Sequence, residues 1–421
     1  MKKKVSALCG GIITVVLLVC MLGYCSNLVE RKASTKKFED FYNQEEDFDV
    51  LFFGTSHMVN AVLPMELWNE YGMVSYNYGI HGSSLAVTYW SIVNALDYTT
   101  PKLIVVDTYG LSTDRKLGMS YDNEENVMEN RRDQMHLVFD SIPLSVNKIT
   151  ACVDLFREYD CIAEFLWDFI IYHNRWSELT EEDFRPASLY EKGAELLLGK
   201  EDANVEKDIG TEVYLEQDTI AIEYLYKIIE LCEEKEIELM FTYLPFPAAE
   251  NEQKEANTTA LIAQDKEIEF INFLELEGVV DFRTDNADPH SHLNYLGALK
   301  VTEYLGDYLV NHYDIPDRKE ESDYKQWHTD YEEYLDDKIE RLKQQKTVLT
   351  YLLALSDPNL YYEVALREDS SVLYDGVLVG ILEEHREKNN WSMLPIGNTE
   401  ADISIKVIDK RTNEVIEIRE F

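Results

Sequence analysis

Cysteine is scarce outside the N-terminal segment of this chain. Of its six cysteines, three lie in one apolar run near the N-terminus, where they behave as small hydrophobic residues. The other three, Cys152, Cys161 and Cys232, are an odd number without the spacing of metal ligands. The sequence therefore indicates neither a disulfide framework nor a zinc site, and we expect no metal and no cofactor.

Positive charge is also scarce beyond the first 37 residues. Residues 38–421 hold 32 basic and 79 acidic residues, a formal net charge of −47. A body this acidic is repelled by nucleic acid and by anionic lipid headgroups, and the composition argues against both as partners. The same charge keeps an exposed protein soluble, and it carries no information about the fold.

Long apolar runs are absent except at the N-terminus, where no charged residue occurs from Val5 to Cys25. A helix of this length rises about 30 Å, the thickness of the hydrocarbon core of a bilayer. Lysines at residues 2–4 favour a cytoplasmic N-terminus. No small-x-small site closes the run, and the bulky Tyr24 before Cys25 is unlike a lipoprotein site. We expect residues 1–25 to be a single-pass signal anchor in the cell membrane, with the rest of the chain extracytoplasmic. A cleaved signal peptide is the alternative.

Short apolar runs alternate with helical patterns in the middle of the chain. Runs that are apolar at successive positions suit parallel strands buried on both faces. They lie at residues 48–53, 74–76, 103–106, 237–244 and 268–271, with helical patterns at 84–97, 215–235 and 250–264. The alternation predicts an α/β domain over residues 45–313 with a doubly wound, flavodoxin-like parallel sheet.

The remaining segments have other compositions. The sequence predicts a polar stalk at residues 26–44 and a helical insertion at 114–214. It also predicts a linker helix at 314–357 and a small α+β accessory domain at 358–421. The insertion is either a lid or substrate wall, or additional core. Its His173, Arg175 and Trp176 are candidates to line a sugar site, and structural polar contacts are the alternative for them. Tyr109, outside the insertion, is a further candidate to line the substrate site.

Ser56 follows the first apolar run in the sequence Gly54-Thr55-Ser56. Ligands of open α/β sheets bind beyond the carboxyl ends of the strands, which is where this serine is expected. Ser56 could act as a nucleophile or could simply cap a helix. A second glycine-containing turn, with Gly82, follows the next strand, and its backbone N–H is a candidate oxyanion donor.

A histidine with a nearby acid comes late in the domain, in the sequence from Asp288 to His292. An acid can orient an imidazole through one ring nitrogen and leave the other for a serine. Asp285 is a second candidate for the acid, and His290 is a second candidate for the base. A metal site is disfavoured because no cysteine or glutamate lies near this cluster. His57 adjoins Ser56, but a packing role is expected for it.

At these positions the sequence resembles the SGNH, or GDSL-like, hydrolase superfamily. The first block of that family is similar to residues 49–57, the glycine of its second block matches Gly82, and the phrase His-Leu-Asn-x-x-Gly-Ala at 292–298 is typical of extracytoplasmic members. The resemblance spans about residues 45–310. It implies Ser56 as nucleophile, His292 as base, Asp288 as its orienting acid, and the N–H groups of Ser56 and Gly82 as oxyanion donors.

The resemblance has two departures. The spacing from Asp288 to His292 is one residue longer than usual, and Asp107-Thr108-Tyr109-Gly110 stands where the family has Gly-x-Asn-Asp. The membrane-anchored branch resembles O-acetyltransferases of exported polysaccharides and the D-alanine-transfer protein of teichoic acids. We therefore expect a serine esterase or O-acyltransferase acting on an envelope glycan, with a membrane O-acyltransferase as a candidate partner. The alternative is an inactive member that binds glycan or serves envelope assembly.

Overall fold

The computed structural model describes residues 2–29, 32–44, 46–119, 126–184, 191–205, 207–289, 292–388, 390–395 and 397–421. The helices are α1 (Lys2–Val29), α2 (Lys32–Asn43), α3 (Ser56–Ala61), α4 (Pro64–Tyr71), α5 (Leu85–Ala95), α6 (Val127–Phe139), α7 (Val146–Phe156), α8 (Ile162–Leu166), α9 (Phe169–Tyr172), α10 (Ile220–Lys235), α11 (Glu250–Lys266), α12 (Tyr295–His312), α13 (Lys325–Gln344), α14 (Val348–Ala354) and α15 (Gly376–Glu387). The strands are β1 (Val50–Phe53), β2 (Ser75–Asn77), β3 (Leu103–Asp107), β4 (Glu238–Tyr243), β5 (Glu269–Asn272), β6 (Leu360–Leu366), β7 (Trp391–Met393), β8 (Ile403–Asp409) and β9 (Glu414–Glu420).

The first helix, α1, is apolar along most of its length. Its segment Gly10–Val29 has 20 residues and a mean hydropathy of 2.3, so it is long and apolar enough to cross a membrane. Only 11% of its most apolar window is buried inside the protein. The predicted apolar N-terminal helix is thus confirmed.

A parallel sheet of five strands forms the centre of the fold, in the order β2-β1-β3-β4-β5. In β1, Leu51 and Phe53 enter one core cluster, whereas Val50 and Phe52 enter a second cluster on the other face. This division follows from the alternation of side chains along a strand, and it explains why the run is apolar at every position. The predicted α/β class and parallel sheet are confirmed.

Part of the segment predicted as a stalk is a packed helix. Within α2, Phe38 and Phe41 are buried in the main core cluster. The Phe41 ring lies 5.2 Å from Tyr76 and 4.9 Å from Tyr78, measured between ring centroids. The lysines of this segment hide the apolar spacing of the two phenylalanines, so the sequence suggested a solvated linker.

The insertion contributes to the same core. Buried residues of α6 and α7, among them Phe139 and Phe156, belong to the cluster that includes Leu51 and Phe53 of the sheet. Helix α7 packs on α5, which itself contacts α10. This part of the insertion is therefore additional core.

The C-terminal segment forms a second sheet, in the order β7-β6-β8-β9, with its own core cluster. The linker helix predicted within residues 314–357 is divided at Gln345 into α13 and α14, because the backbone there is extended. Strand β7 has only three residues, Trp391–Met393, and none of them is buried, so no apolar run marks it in the sequence.

Candidate active site

Ser56 lies where β1 turns into α3. Thr55 caps that helix, and its hydroxyl accepts a hydrogen bond from the His57 N–H at 3.4 Å. Gly54 allows the close turn, because a Cβ added there would lie 2.8 Å from Cβ of Asp107 on the neighbouring strand. The serine is therefore fixed at the carboxyl edge of the sheet, partly exposed.

His292 lies on a loop that folds back on itself before α12. Asn286 and Leu293 form an isolated antiparallel bridge, and the Ala287 N–H donates to the His292 carbonyl at 2.8 Å. Asn294 then caps α12 by accepting the Gly297 N–H at 3.2 Å. Closing the loop in this way brings Asp288 and His292 together. His290, the alternative base, lies outside the described residues.

The three side chains form a continuous hydrogen-bonded row. Nε2 of His292 lies 2.8 Å from Oγ of Ser56, and Nδ1 lies 2.5 Å from Oδ2 of Asp288. The side chain of His292 is 26% exposed and that of Asp288 is 34% exposed, so the row is open to a substrate from solvent. An imidazole held in this way can take a proton from the serine while its other nitrogen is oriented by the acid.

Asp285, the alternative acid, is occupied elsewhere. Its side chain is buried and accepts hydrogen bonds from the Asp281 N–H at 2.7 Å, the Thr284 hydroxyl at 2.8 Å and Lys300 Nζ at 2.9 Å. Burial raises the pKa of Asp285, although Lys300 opposes this effect. The geometry thus assigns the His292 contact to Asp288 and a structural role to Asp285.

The turn at Gly82 is tied to the Ser56 turn, because the Ile80 N–H donates to the Gly54 carbonyl at 2.9 Å. Gly82 has a φ of +60°, and a Cβ there would overlap the guanidinium of Arg131 from α6. Glycine is therefore required for two reasons, the left-handed backbone and the arginine packed against it. Within the described part of the chain, the N–H groups of Ser56 and Gly82 donate to no protein acceptor.

An aromatic wall stands beside the row. The His57 ring is buried and lies 4.2 Å from Tyr109 and 4.3 Å from Phe246, measured between centroids, and 6.0 Å from His292. Burial, and then the electrostatic interaction with His292, lower the pKa of His57 to about 3. His57 is therefore neutral at physiological pH and packs as an aromatic ring.

Two amides of the loop after β3 bind a buried carboxylate. The Gly110 N–H donates to Oε2 of Glu255 at 2.8 Å, and the Ser112 N–H donates to Oε1 at 3.0 Å. Tyr243 also donates to this buried carboxylate at 3.0 Å. Glu255 was missed from the sequence because it appears there as one of several acids on a surface-type helix.

Two further polar side chains near the site come from distant segments. His81 Nε2 lies 3.0 Å from Glu195, a residue of the insertion. The pKa of Glu195 is lowered, first by that hydrogen bond and further by electrostatic interactions with His81, Lys37 and His292, which together outweigh the effect of burial. Lys37 of α2 donates from Nζ to the Gly79 carbonyl at 2.8 Å. No sequence pattern links residues 37, 81 and 195, so they could not be grouped beforehand.

The other candidate residues in the insertion lie around the end of α1. Arg175 donates to the Val29 carbonyl at 3.1 Å and pairs with Asp183. His173 contacts the Ile170 carbonyl at 3.0 Å, and Trp176 is exposed. None of their described contacts is with Ser56 or His292.

Among the described residues, no group of three or more histidine, cysteine or acidic side chains could hold a metal ion. No protein-family model matches the chain. No curated protein is significantly similar to it.

Proposed function

We propose that this protein is a serine esterase or O-acyltransferase of the SGNH type. The observation that carries the proposal is the row of Ser56, His292 and Asp288, in which the two imidazole nitrogens lie 2.8 Å from the serine and 2.5 Å from the acid. Residues 236 positions apart in the chain have no local reason to meet in this way. A Ser-His-acid arrangement is the usual means of activating a hydroxyl for acyl transfer.

The reaction would have two steps. Ser56 Oγ attacks the ester carbonyl while its proton passes to Nε2 of His292. The tetrahedral intermediate collapses, the carbonyl-to-alkoxy bond breaks, and His292 returns the proton to the leaving alcohol. Water or a sugar hydroxyl then attacks the acyl-enzyme by the reverse sequence, which gives hydrolysis or transfer.

The strand order supports the SGNH assignment. The order β2-β1-β3-β4-β5 is that of flavodoxin-like, doubly wound sheets, whose ligands bind where β1 and β3 diverge. Ser56 follows β1 directly, and Asp107 ends β3. The core clusters on both faces of the sheet are consistent with this arrangement.

The oxyanion would be held without the family's usual asparagine. The N–H groups of Ser56 and Gly82 are the backbone donors, and the cation of Arg131 against Gly82 adds positive charge beside them. Loss of one oxyanion donor costs about 3 kcal/mol in the barrier, so a nearby guanidinium would offset part of the effect.

The substrate and location follow by analogy from the resemblance and the apolar α1. We propose an extracytoplasmic enzyme, anchored in the cell membrane, that acts on an envelope or exported glycan. A membrane-bound O-acyltransferase would be its acyl donor partner.

A second candidate function is glycan binding or envelope assembly by an inactive member. It is favoured by the loop after β3, in which the amides of Gly110 and Ser112 bind Glu255 and are unavailable to an oxyanion.

A fluorophosphonate probe separates the two candidates. In the full-length protein in detergent, Ser56 Oγ is expected to form a bond to phosphorus with release of fluoride, giving one label per chain by mass spectrometry. Ser56→Ala should remove the label, and Ser177→Ala, which changes an exposed serine of the insertion, should retain it. An unlabelled but folded wild type would favour the binding function.

Exchanging each aspartate for asparagine should separate catalysis from stability. Asp288→Asn is expected to lower kcat/KM for 4-nitrophenyl acetate by roughly 10²- to 10⁴-fold, because the imidazole loses its orienting charge. Asp285→Asn should instead lower the free energy of unfolding by about 3 kcal/mol, because Lys300 loses a buried partner. Urea unfolding and ester hydrolysis of both variants check this, and the opposite pattern would make Asp285 the orienting acid.

A further inference from the structure

The C-terminal end of α1 is bound by residues of the insertion. The Ser26 hydroxyl donates to Oδ1 of Asp168 at 2.6 Å, and Arg175 donates to the Val29 carbonyl at 3.1 Å. Ser26 and Val29 are buried, whereas Leu17 in the middle of the helix is 63% exposed. The helix therefore leaves its exposed, apolar stretch at the point where α9 and the 3-10 helix Arg175–Ser177 pack on it.

Large apolar side chains surround this contact and face outward. Trp167 and Ile170 are each 42% exposed, Trp176 is 70% exposed, and Tyr24 on α1 is 67% exposed. Trp167 stacks on Phe169 of α9, with centroids 5.5 Å apart, which stiffens the surface. We call Tyr24, Trp167, Ile170 and Trp176 the collar.

The length of α1 determines where the collar lies relative to the bilayer. The 20 residues from Gly10 to Val29 rise about 30 Å, which matches the hydrocarbon thickness of a bilayer. If this segment spans the bilayer, its last turn lies at the headgroup level, and so does everything packed against that turn. Tryptophan and tyrosine are enriched at this level because their rings are amphipathic.

We propose that the collar inserts into the headgroup layer beside α1 and seats the extracytoplasmic body on the membrane surface. This inference rests on the membrane location in the proposed function but not on catalysis. The occupant is the lipid interface, because Tyr24 lies on α1 itself, and Ile170 and Trp176 lie on α9 and on the 3-10 helix that contact α1. Glu178 and Glu181 are exposed nearby, and the body is acidic, so the contact depends on ring insertion and not on attraction to anionic lipid.

Helix α2, which follows α1 in the chain, contacts both the main core and the turn that carries Gly82. Helix α2 carries Phe41 into the main core and Lys37 onto the Gly79 carbonyl, three residues before Gly82. Helix α2 is therefore packed on the body and is not a solvated stalk. A site in such a body would work on substrates presented at the membrane surface.

Lipids brominated near the upper part of their acyl chains test the collar, because bromine quenches indole emission on contact. The full-length protein is placed in phosphatidylcholine vesicles with and without brominated lipid. Two of the six tryptophans are in the collar, so we expect clear quenching of the wild type. The quenching should fall at least two-fold in Trp167→Phe/Trp176→Phe and stay unchanged in Trp391→Phe, which alters the C-terminal sheet.

Unchanged quenching in the double variant would overturn the proposal. The proposal would also be overturned if the tryptophan emission changed with the protein-to-lipid ratio but not with brominated lipid. That result would make the collar a contact between copies of the chain. Adding phosphatidylglycerol, an anionic lipid, should not increase the quenching. An increase would mean that the contact depends on charge attraction and not on insertion of the rings. Fluorophosphonate labelling of Ser56 in the same vesicles reports the proposed catalysis independently.

Discussion

Replacing His292 by alanine is expected to lower the rate of 4-nitrophenyl acetate hydrolysis by at least about 10⁴-fold. Without the imidazole, Ser56 must attack as a neutral hydroxyl, and no other base lies within hydrogen-bond distance of its Oγ among the described residues. Ser56→Ala should have an effect of similar size. The partly exposed positions of both residues indicate that neither change should affect folding.

The double variant provides the sharper test. Residues that act as one unit have non-additive effects, so Ser56→Ala/His292→Ala should be no slower than either single variant. His173→Ala is a matched control, since it removes an exposed imidazole that contacts only the Ile170 carbonyl in the described hydrogen bonds. Additive losses, or equal losses in the control, would mean that the row is not the catalytic unit.

The position of Ser56 and the contact between Asp288 and His292 could be predicted, because both depend on residues close together in the sequence. A buried strand followed by Gly54 and Thr55 places Ser56 at the sheet edge for reasons that are visible in a few residues. The contact between Asp288 and His292 is also local, although the longer spacing is accommodated only because Asn286 and Leu293 close the loop. The resemblance implied Asp288 and left Asp285 open as a second candidate. The choice depends on Lys300, which lies on the next helix.

The unpredicted part depends on contacts between distant segments. Glu255 binds the loop after β3, and Arg131 packs against Gly82, yet each appears in the sequence as one more charged residue on a helix. The packing of α2 was missed for a related reason, because lysines surround Phe38 and Phe41. Burial of a charged or interrupted helix is decided by what covers it, and that information is not local.

A buried charge cluster joins the segment of α13 and α14 to the sheet domain. Lys338 Nζ on α13 lies 2.7 Å from Glu66 on α4 and 3.0 Å from Asp357, which follows α14. The three side chains are at most 8% exposed, and the hydroxyls of Tyr334 and Tyr295 also donate to Glu66, at 3.0 and 3.2 Å. Burial opposes the positive charge of Lys338, but Asp357 and Glu66 outweigh it and raise its pKa.

Lys338→Met is therefore expected to lower the free energy of unfolding by about 3 to 5 kcal/mol. The methionine fills the space but leaves two carboxylates close together and buried without a cation. Lys343→Met is the control, because its pair with Glu340 is exposed and worth at most about 0.5 kcal/mol. Urea unfolding of the full-length protein in detergent measures both variants.

A triple variant distinguishes unpaired charge from lost packing as the cause of the destabilisation in Lys338→Met. If unpaired charge dominates, adding Glu66→Gln and Asp357→Asn to Lys338→Met should recover much of the stability, since a buried ion cluster often contributes little more than a neutral one. If packing dominates, the triple variant should be no more stable than Lys338→Met. Recovery of stability with unchanged fluorophosphonate labelling would mean that the segment of α13 and α14 is held to the sheet domain by complementary charge and that this attachment is independent of the Ser56 site.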